Sequence, residues 1–413
     1  MTAIWAQKYD KILPLLKNTG FWQKVTFSRL QQKLLKSYLG HLLLKLDNRR
    51  LIMDIENIKG TNYFSELTGV RAIAVYLVYL HHTNPFHAET FGPFLNGLVK
   101  EFHIGVSIFF VLSGFLIALR YFDQSNQKNW FKKYMQNRIA RVYPMYFLIT
   151  TVSFLALLIQ NKQGEHPLMV YLMNISFLRG FFDDLKFTLV GQGWSLTVEE
   201  LFYIAAPLLF FILKKRKWFV LLLPLGLILT GCLLVEIFNG IDFHGFFSNY
   251  SFMFIYTFFG RCFEFFCGIG LALYFKDQIT KEKKGSEFTS VGLAIMILLV
   301  ATMSSLGAQG QSGMQHVFGI VINNFLLPVS IALFFYGLMR EKTLLKKILS
   351  SPLFITMGKA SYTFYLIHVG FFYMLIHDHF TTNYVLIFLG LNLIALLLWY
   401  FVEEPANKVI RKL

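Results

Sequence analysis

The stretch FHIGVSIFFVLSGFLIAL, residues 102–119, decides the fold. It carries no acidic or basic side chain apart from one histidine, and it runs straight into a basic segment, Arg120 to Arg141. A helix needs about 20 mostly apolar residues to cross roughly 30 Å of hydrocarbon, and this run supplies them. A second apolar window follows at 144–160, so the basic segment lies between two runs of that kind. Further windows recur near 67–83, 194–213, 218–238, 252–275, 289–307, 316–338, 357–377 and 383–402. Of the 413 residues 55% are hydrophobic and 17% aromatic, with 46 Phe, above the usual share for a water-soluble chain. The fold class expected is all-α: a polytopic membrane bundle of about ten transmembrane helices.

The formal charge of +16 does not point to nucleic acid, because the cations fall in short clusters between apolar runs. Those clusters alternate with nearly uncharged connections. Basic residues fill Arg120 to Arg141, Lys214 to Lys217, Lys276 to Lys284, Arg340 to Lys347 and Lys408 to Lys412. By the positive-inside rule these loops are cytoplasmic, the number of spans is even and both termini lie inside, in a multi-pass protein of the cell's inner (cytoplasmic) membrane. An extra span at 167–178 would invert every later loop, so that segment reads as a re-entrant or surface helix. The connection 161–193 is then the longest outside and the natural place for acceptor contacts.

Residues 1–62 form a basic extension ahead of a transmembrane domain at 63–413 and lack the order of a cleaved secretory signal. Leu30, Leu34, Tyr38, Leu42 and Leu46 recur every four residues among Arg29, Lys33, Lys36 and Lys45, as in an amphipathic helix lying on an anionic leaflet. A solvated regulatory extension is the alternative. Cys232, Cys262 and Cys267 all fall in apolar runs without metal-ligand spacing and read as packing residues. No metal cluster, phosphate loop or nucleophile elbow is present, no internal repeat is evident, and no soluble domain is expected at either end.

An ionisable side chain in hydrocarbon is costly and therefore a functional candidate. Arg71, His81 and His82 fall on the first span, Glu199 and Glu200 on the fourth, Arg261 and Glu264 on the sixth, and Lys359 and His368 on the ninth. Arg71 and His82 project from one face about three turns, roughly 16 Å, apart, whereas His81 turns elsewhere. The inner cation suits an anionic or carbonyl group of a cytoplasmic donor. The outer imidazole suits removal of a proton from a hydroxyl, or is an interfacial histidine bonded to a neighbour. Glu199, in WSLTVEELFY, is placed by its position in the span at the depth of His82, where it would orient the imidazole or form a packing ion pair. Arg261 and Glu264, three apart, are placed to neutralise each other. Arg138 and Arg141 in NRIARVYP stand at the cytoplasmic mouth, placed to hold phosphates or simply to anchor the membrane rim. Ser107, Ser113 and Gly114 read as small residues for close helix packing rather than as nucleophiles.

Taken together, ELTGVRAIAVYLVYLHH, GVSIFFVLSGFLI, RIARVYP, WSLTVEELFY, GRCFEFFCGIGLAL, GKASYTFYLIH and FVEEP resemble, in order, the motifs of the acyltransferase-3 family of integral membrane O-acyltransferases. The resemblance implies a ten-span enzyme that moves an acyl group, usually acetyl from cytoplasmic acetyl-CoA, to a hydroxyl of an exported carbohydrate. Its arginine-to-histidine motif falls on Arg71 and His82, and its paired-arginine motif on Arg138 and Arg141. Its tryptophan-to-glutamate motif falls on Trp194 and Glu199, rather than Glu200, and its penultimate-span motif on Ser361, Tyr362, Tyr365 and His368. Ser107 stands where members often carry Asp, and Glu404 where a basic residue commonly precedes the proline.

The expected mechanism has Arg138 and Arg141 holding the nucleotide of acetyl-CoA or another acyl-CoA, its thioester passing Arg71 to reach His82. His82, oriented by Glu199, acts as general base, or carries the acyl group itself. Trp194, Ser113, Tyr362, Tyr365, His368, Arg261 and Glu264 support the site, and no metal takes part. The partners are acyl-CoA, the bilayer and an extracytoplasmic glycan such as lipopolysaccharide O-antigen, capsule or exopolysaccharide, with no nucleic acid. The rival readings are a transporter or flippase for an exported glycan or lipid-linked intermediate, and a structural scaffold. Sequence does not decide the acceptor, the acyl chain or the oligomeric state.

Overall fold

In a lipid bilayer every backbone polar group must be satisfied inside the segment that carries it, and the apolar runs accordingly form helices. The computed structural model describes residues 64–162, 164–241, 243–276, 285–307 and 311–412; the expected amphipathic helix around 30–46 and most of the basic connection 276–284 lie outside them. We label the principal helices α1 (Ser65–Thr83), α2 (Ile104–Tyr121), α3 (Trp130–Ile159), α4 (Trp194–Lys215), α5 (Phe219–Phe238), α6 (Phe258–Lys276), α7 (Glu287–Leu306), α8 (Leu327–Arg340), α9 (Pro352–Ile367) and α10 (Tyr384–Leu398). Among the described residues eight helical stretches are long and apolar enough to cross a membrane, from Pro93–Tyr121 to Tyr384–Ile410. The expected count of about ten is therefore approximate. The first and ninth windows, α1 and α9, differ because one is interrupted by Arg71, His81 and His82 and the other has 16 residues before the chain turns at Gly370. Helix Pro167–Ile175 has 9 residues, about 14 Å of rise, too short to span.

The outward face of the bundle is apolar. On α5 Leu221, Leu225, Leu229, Leu233 and Ile237 are all exposed at every fourth position, while Gly231 and Val235 turn inward. Hydrocarbon solvates such a stripe, so association of the helices rests on close packing and buried polar bonds rather than on expulsion of water. Gly114 on α2 and Gly268 on α6 supply the packing. A Cβ at Gly114 would lie 2.1 Å from the Phe265 carbonyl oxygen, and one at Gly268 would lie 2.0 Å from that of Val111. The three cysteines are unpaired, with Cys262 buried.

Helices α1 and α9 run parallel and set the geometry of the site. Ser65 Oγ meets Ser350 Oγ at 3.1 Å where both begin, and a Cβ at Gly358 would lie 1.9 Å from the Thr68 carbonyl oxygen. Further along, the Tyr76 and Phe364 rings meet edge-on at 5.4 Å. Two helices that start level and climb together bring His82 and His368, near their far ends, to one height.

Two of the long runs are interrupted. The sixth breaks at Thr257, in extended backbone, between Tyr250–Tyr256 and α6. The eighth enters α8 through a wide turn at Ile322–Leu326 that swings Asn323 and Asn324 inward, both fully buried. Asn324 Nδ2 donates to the carbonyl oxygens of Phe254 and Gly260 at 2.8 and 3.1 Å, satisfying groups on both sides of the break.

Outside the spans, Glu341 caps α7 from a distant element. Its carboxylate accepts from the Phe288 and Thr289 backbone N–H groups at 2.8 and 3.0 Å and from Thr289 Oγ1 at 2.6 Å. Burial opposes its ionisation, but the bonds from Thr289 and Phe288 outweigh that and hold the carboxyl below its ordinary value of 4.5. Its stabilisation is thus complete above that ordinary value and is lost as the pH falls through the depressed one. Glu341→Ala is expected to cost about 1 kcal/mol near neutral pH, the usual worth of a cap. The gap in melting temperature between variant and parent in detergent should shrink as the pH falls below that ordinary value and through the depressed one. A gap that stays constant with pH would rule out the ionised cap.

Candidate active site

At the far end of α1, His82 Nδ1 lies 2.9 Å from the Val78 carbonyl oxygen and 3.1 Å from His368 Nε2. His368 is fully buried, and its Nδ1 lies 2.7 Å from the Tyr365 carbonyl oxygen. A carbonyl only accepts, so both Nδ1 atoms carry the proton, and His368 Nε2 is left as a lone pair facing His82 Nδ1–H. The remaining His82 nitrogen, Nε2, is then unprotonated in the neutral ring and takes part in none of the described hydrogen bonds. His81 turns the other way, its Nδ1 2.6 Å from the Lys100 carbonyl oxygen and its ring 5.4 Å from that of His103. His103 in turn pairs with Glu101 at 3.1 Å.

Below the histidines, the start of α4 is buried rather than at a surface. Gln192 donates through Nε2 to the Tyr365 and Leu366 carbonyl oxygens at 2.7 and 2.8 Å, and Ser195 Oγ lies 2.7 Å from Tyr365 Oη. This corrects the expected depth of Glu199. Counting from an assumed surface at Trp194 puts it level with His82, but the chain has already entered the bundle at Gln192. Glu199 accepts short hydrogen bonds from Ser113 Oγ on α2 and from Tyr203 Oη, and its charge is felt by Arg71. None of the described bonds joins Glu199 to His82; His368 occupies the place expected of it. Ser113, expected as a small packing residue that supports the site, serves as a donor to that carboxylate.

The near end gathers guanidinium groups. Arg138 Cζ stands 5.7 Å from the Tyr121 ring centroid and 5.3 Å from that of Tyr203. Arg141 Nη1 donates to Glu403 at 2.6 Å, and its Cζ stands 5.5 Å from the Tyr362 ring centroid. Tyr362 Oη donates to the Val142 carbonyl oxygen at 2.8 Å and Thr363 Oγ1 to Glu403 at 2.6 Å, so α9 braces the pair. Arg71 lies in the electrostatic range of Arg141, Glu403, Glu199 and Tyr203. Among the described residues Arg138 Nε and Arg141 Nη2 are buried without a hydrogen-bond partner, two donors available to an anion. Glu404, where the family departure falls, pairs with Lys408 at the rim, and it is Glu403 that is buried.

Arg261 and Glu264 form the expected pair, with Nε and Nη2 donating to the two carboxylate oxygens at 2.7 and 2.8 Å. Arg261 Nη2 also donates to Ser107 at 3.1 Å, and its Cζ stands 5.8 Å from the Trp194 ring centroid. With Ser at 107, the Arg261 charge is balanced by Glu264. The loop leading to Trp194 is held by Arg179, fully buried, which donates to the Thr188 carbonyl oxygen and, at 2.6 Å, to that of Val190. Gly193 leaves room for this guanidinium, because a Cβ would lie 1.9 Å from Arg179 Nη2 and push it from its carbonyl partners. No group of three or more His, Cys, Asp or Glu suited to a metal ion occurs among the described residues.

Sequence reasoning missed Gln192, Tyr203, Glu403 and the asparagine pair. Tyr203 and Glu403 were legible in principle, since each stands one turn or less from a residue already singled out or inside a quoted motif. The chain from residue 64 to 404 matches the model of a family described as an acyltransferase domain. It is similar to the O-acetyltransferase OatA of Staphylococcus aureus strain NCTC 8325 / PS 47, 26% identical over 377 residues that cover 86% of this chain and 59% of that protein. It is likewise similar to the putative O-acetyltransferase SACOL0978 of strain COL, 25% identical over 385 residues, or 85% of this chain and 58% of the other. The chain thus spans about three fifths of the length of these curated relatives. No solved structure matches it. The ordered motifs, the all-helical membrane bundle that carries them and the match across nearly all the described residues lead to one statement: the chain belongs to the acyltransferase-3 family of integral membrane O-acyltransferases.

Proposed function

We propose that this protein transfers an acetyl group from cytoplasmic acetyl-CoA to a hydroxyl of an extracytoplasmic carbohydrate, within the cell's inner membrane and with both termini inside. The observation that carries this reading is the pair His82 and His368. Its two Nδ1 bonds leave His82 Nε2 as a proton acceptor, about 16 Å along α1 from Arg71 and the guanidinium groups around it.

The arginines Arg138 and Arg141 hold the donor's phosphates, and the pantetheine arm runs past Arg71 towards His82. The acceptor hydroxyl gives its proton to His82 Nε2 as its oxygen attacks the thioester carbonyl carbon. The tetrahedral intermediate then breaks its carbon–sulfur bond, and the departing thiolate takes the proton from Nε2. Products are the ester and free coenzyme A, with His82 returned to its starting state. The Val78 carbonyl keeps the His82 ring in one tautomer, and His368, accepting from the same Nδ1–H, holds the ring in position. Glu199, held by Ser113 and Tyr203, serves instead to balance the charge of Arg71.

Label from acetyl-CoA supplied to sealed, inside-out membrane vesicles should appear as a base-labile ester on luminal glycan, seen by NMR, only when the protein is present. Glycan that crosses the membrane without chemical change would instead establish a flippase.

A further inference from the structure

Arg411 ends the chain's last short helix, Glu404–Ile410, its N–H donating to the Asn407 carbonyl oxygen at 3.1 Å. The residue before it is tied down from α3, where Gln136 Nε2 donates to the Ile410 carbonyl oxygen at 2.7 Å. Gln136 stands two residues before Arg138, so this bond brings the tail to the arginine pair. Arg120 arrives from a third element, in the last turn of α2 and next to Tyr121, the ring that lies against Arg138. Tyr121 Oη also accepts from Asn137 Nδ2 at 3.1 Å, which fixes it between α2 and α3.

The foremost electrostatic neighbours of Arg411 among the described residues are Arg138, Arg120, Arg141 and Tyr121. Two acids described in this region are engaged elsewhere, Glu403 with Arg141 and Thr363 and Glu404 with Lys408, while Glu200 lies inward beside Arg138, away from the outer pair. Partial burial and then repulsion from Arg138, Arg120 and Arg141 pull the Arg411 pKa below its ordinary value. A guanidinium does not give up its proton in a protein, so the repulsion is relieved by an anion. The cluster has two tiers: Arg138 and Arg141 half-buried, Arg120 and Arg411 exposed beyond them.

Coenzyme A has its anions in a matching order. The pyrophosphate adjoins the pantetheine arm, and a phosphomonoester on the ribose lies beyond it. An arm threaded inward therefore leaves the phosphomonoester outermost. We propose that Arg120 and Arg411 form an outer anion subsite that takes the ribose phosphate of coenzyme A, while Arg138 and Arg141 take the pyrophosphate. The proposal rests on the acyl-CoA donor reading above. A phosphomonoester carries nearly two negative charges at neutral pH and matches the guanidinium fork.

The test is calorimetric binding of CoA and of 3′-dephospho-CoA to the purified full chain in nanodiscs of phosphatidylcholine. The parent should prefer CoA by about tenfold, the usual weight of a charge-assisted contact. Arg411→Ala and Arg120→Ala should each remove most of that preference and leave dephospho-CoA affinity unchanged, which also reports that the variants are folded. Gln136→Ala should reduce the preference in part, by loosening the tail. Equal loss for both ligands, or a preference that survives both substitutions, overturns the subsite. A parent that binds neither ligand overturns the donor reading itself. In phosphatidylglycerol nanodiscs, substitutions that alter only lipid association and not the CoA preference would make these arginines headgroup anchors and sink the proposal.

Discussion

His82→Ala is expected to lower acetyl transfer by a factor of about 10² to 10⁴, the contribution of a lost general base, with membrane insertion and yield unchanged. The side chain is half-buried at the end of α1 and packs on His81 and His368 rather than in the bundle core, so its removal should leave the fold intact. His368 acts through His82 and is a positioning residue. His368→Ala should lower kcat by about tenfold and leave the donor KM alone, because it removes one of the two acceptors that hold His82 Nδ1–H and loosens the ring without touching the arginines. His368→Gln should recover part of the loss, since its amide oxygen can accept from His82 Nδ1–H, whereas His368→Leu, which fills the same space without an acceptor, should not; equal recovery by both would mean a merely space-filling role. Full activity in His82→Ala would refute the assignment.

Glu264→Ala should be the most destabilising single change in the polar interior, at about 3–5 kcal/mol, because it strands the Arg261 charge in a site where both residues are essentially inaccessible to solvent. The remaining partners of Arg261, Ser107 Oγ and the Ile255 carbonyl oxygen, are neutral and cannot replace a carboxylate. Removing both charges together is a different matter. Arg261→Met with Glu264→Leu should regain most of the loss, since a buried ion pair and an apolar pair of similar volume are often nearly equal in stability. Thermal melting in detergent would show it. A double variant no more stable than Glu264→Ala would mean that the fold needs these groups for something other than mutual neutralisation.

The bundle and the polar residues inside it were legible because they follow from local rules: apolar length, charge alternation and the cost of a buried ion. Arg261 with Glu264 is a three-residue relation on one helix and could be read directly. The partner of His82 could not, because it depends on how far along α9 the chain has climbed when α1 ends, a relation fixed by the contact of Ser65 with Ser350. The partners of Glu199, Ser113 and Tyr203, could not be read for a similar reason. The depth of Glu199 depends on Gln192 being drawn into the bundle by Tyr365 and Leu366, and nothing in WSLTVEELFY announces that its first turn begins below the surface. Motif spacing marks which residues matter, while long-range bonds decide which of them meet.

The bonds from Asn324 to Phe254 and Gly260 impose an order on biogenesis. While the nascent chain has only its first six spans, the Phe254 carbonyl before the break at Thr257 faces hydrocarbon without the donor that the eighth supplies, an arrangement that a bilayer penalises by several kcal/mol. The amino-terminal half is thus an unfinished intermediate that waits for residues some sixty positions further on. Proteins cut between the sixth and eighth spans should be captured by membrane quality control, and co-expression of the missing half should rescue them.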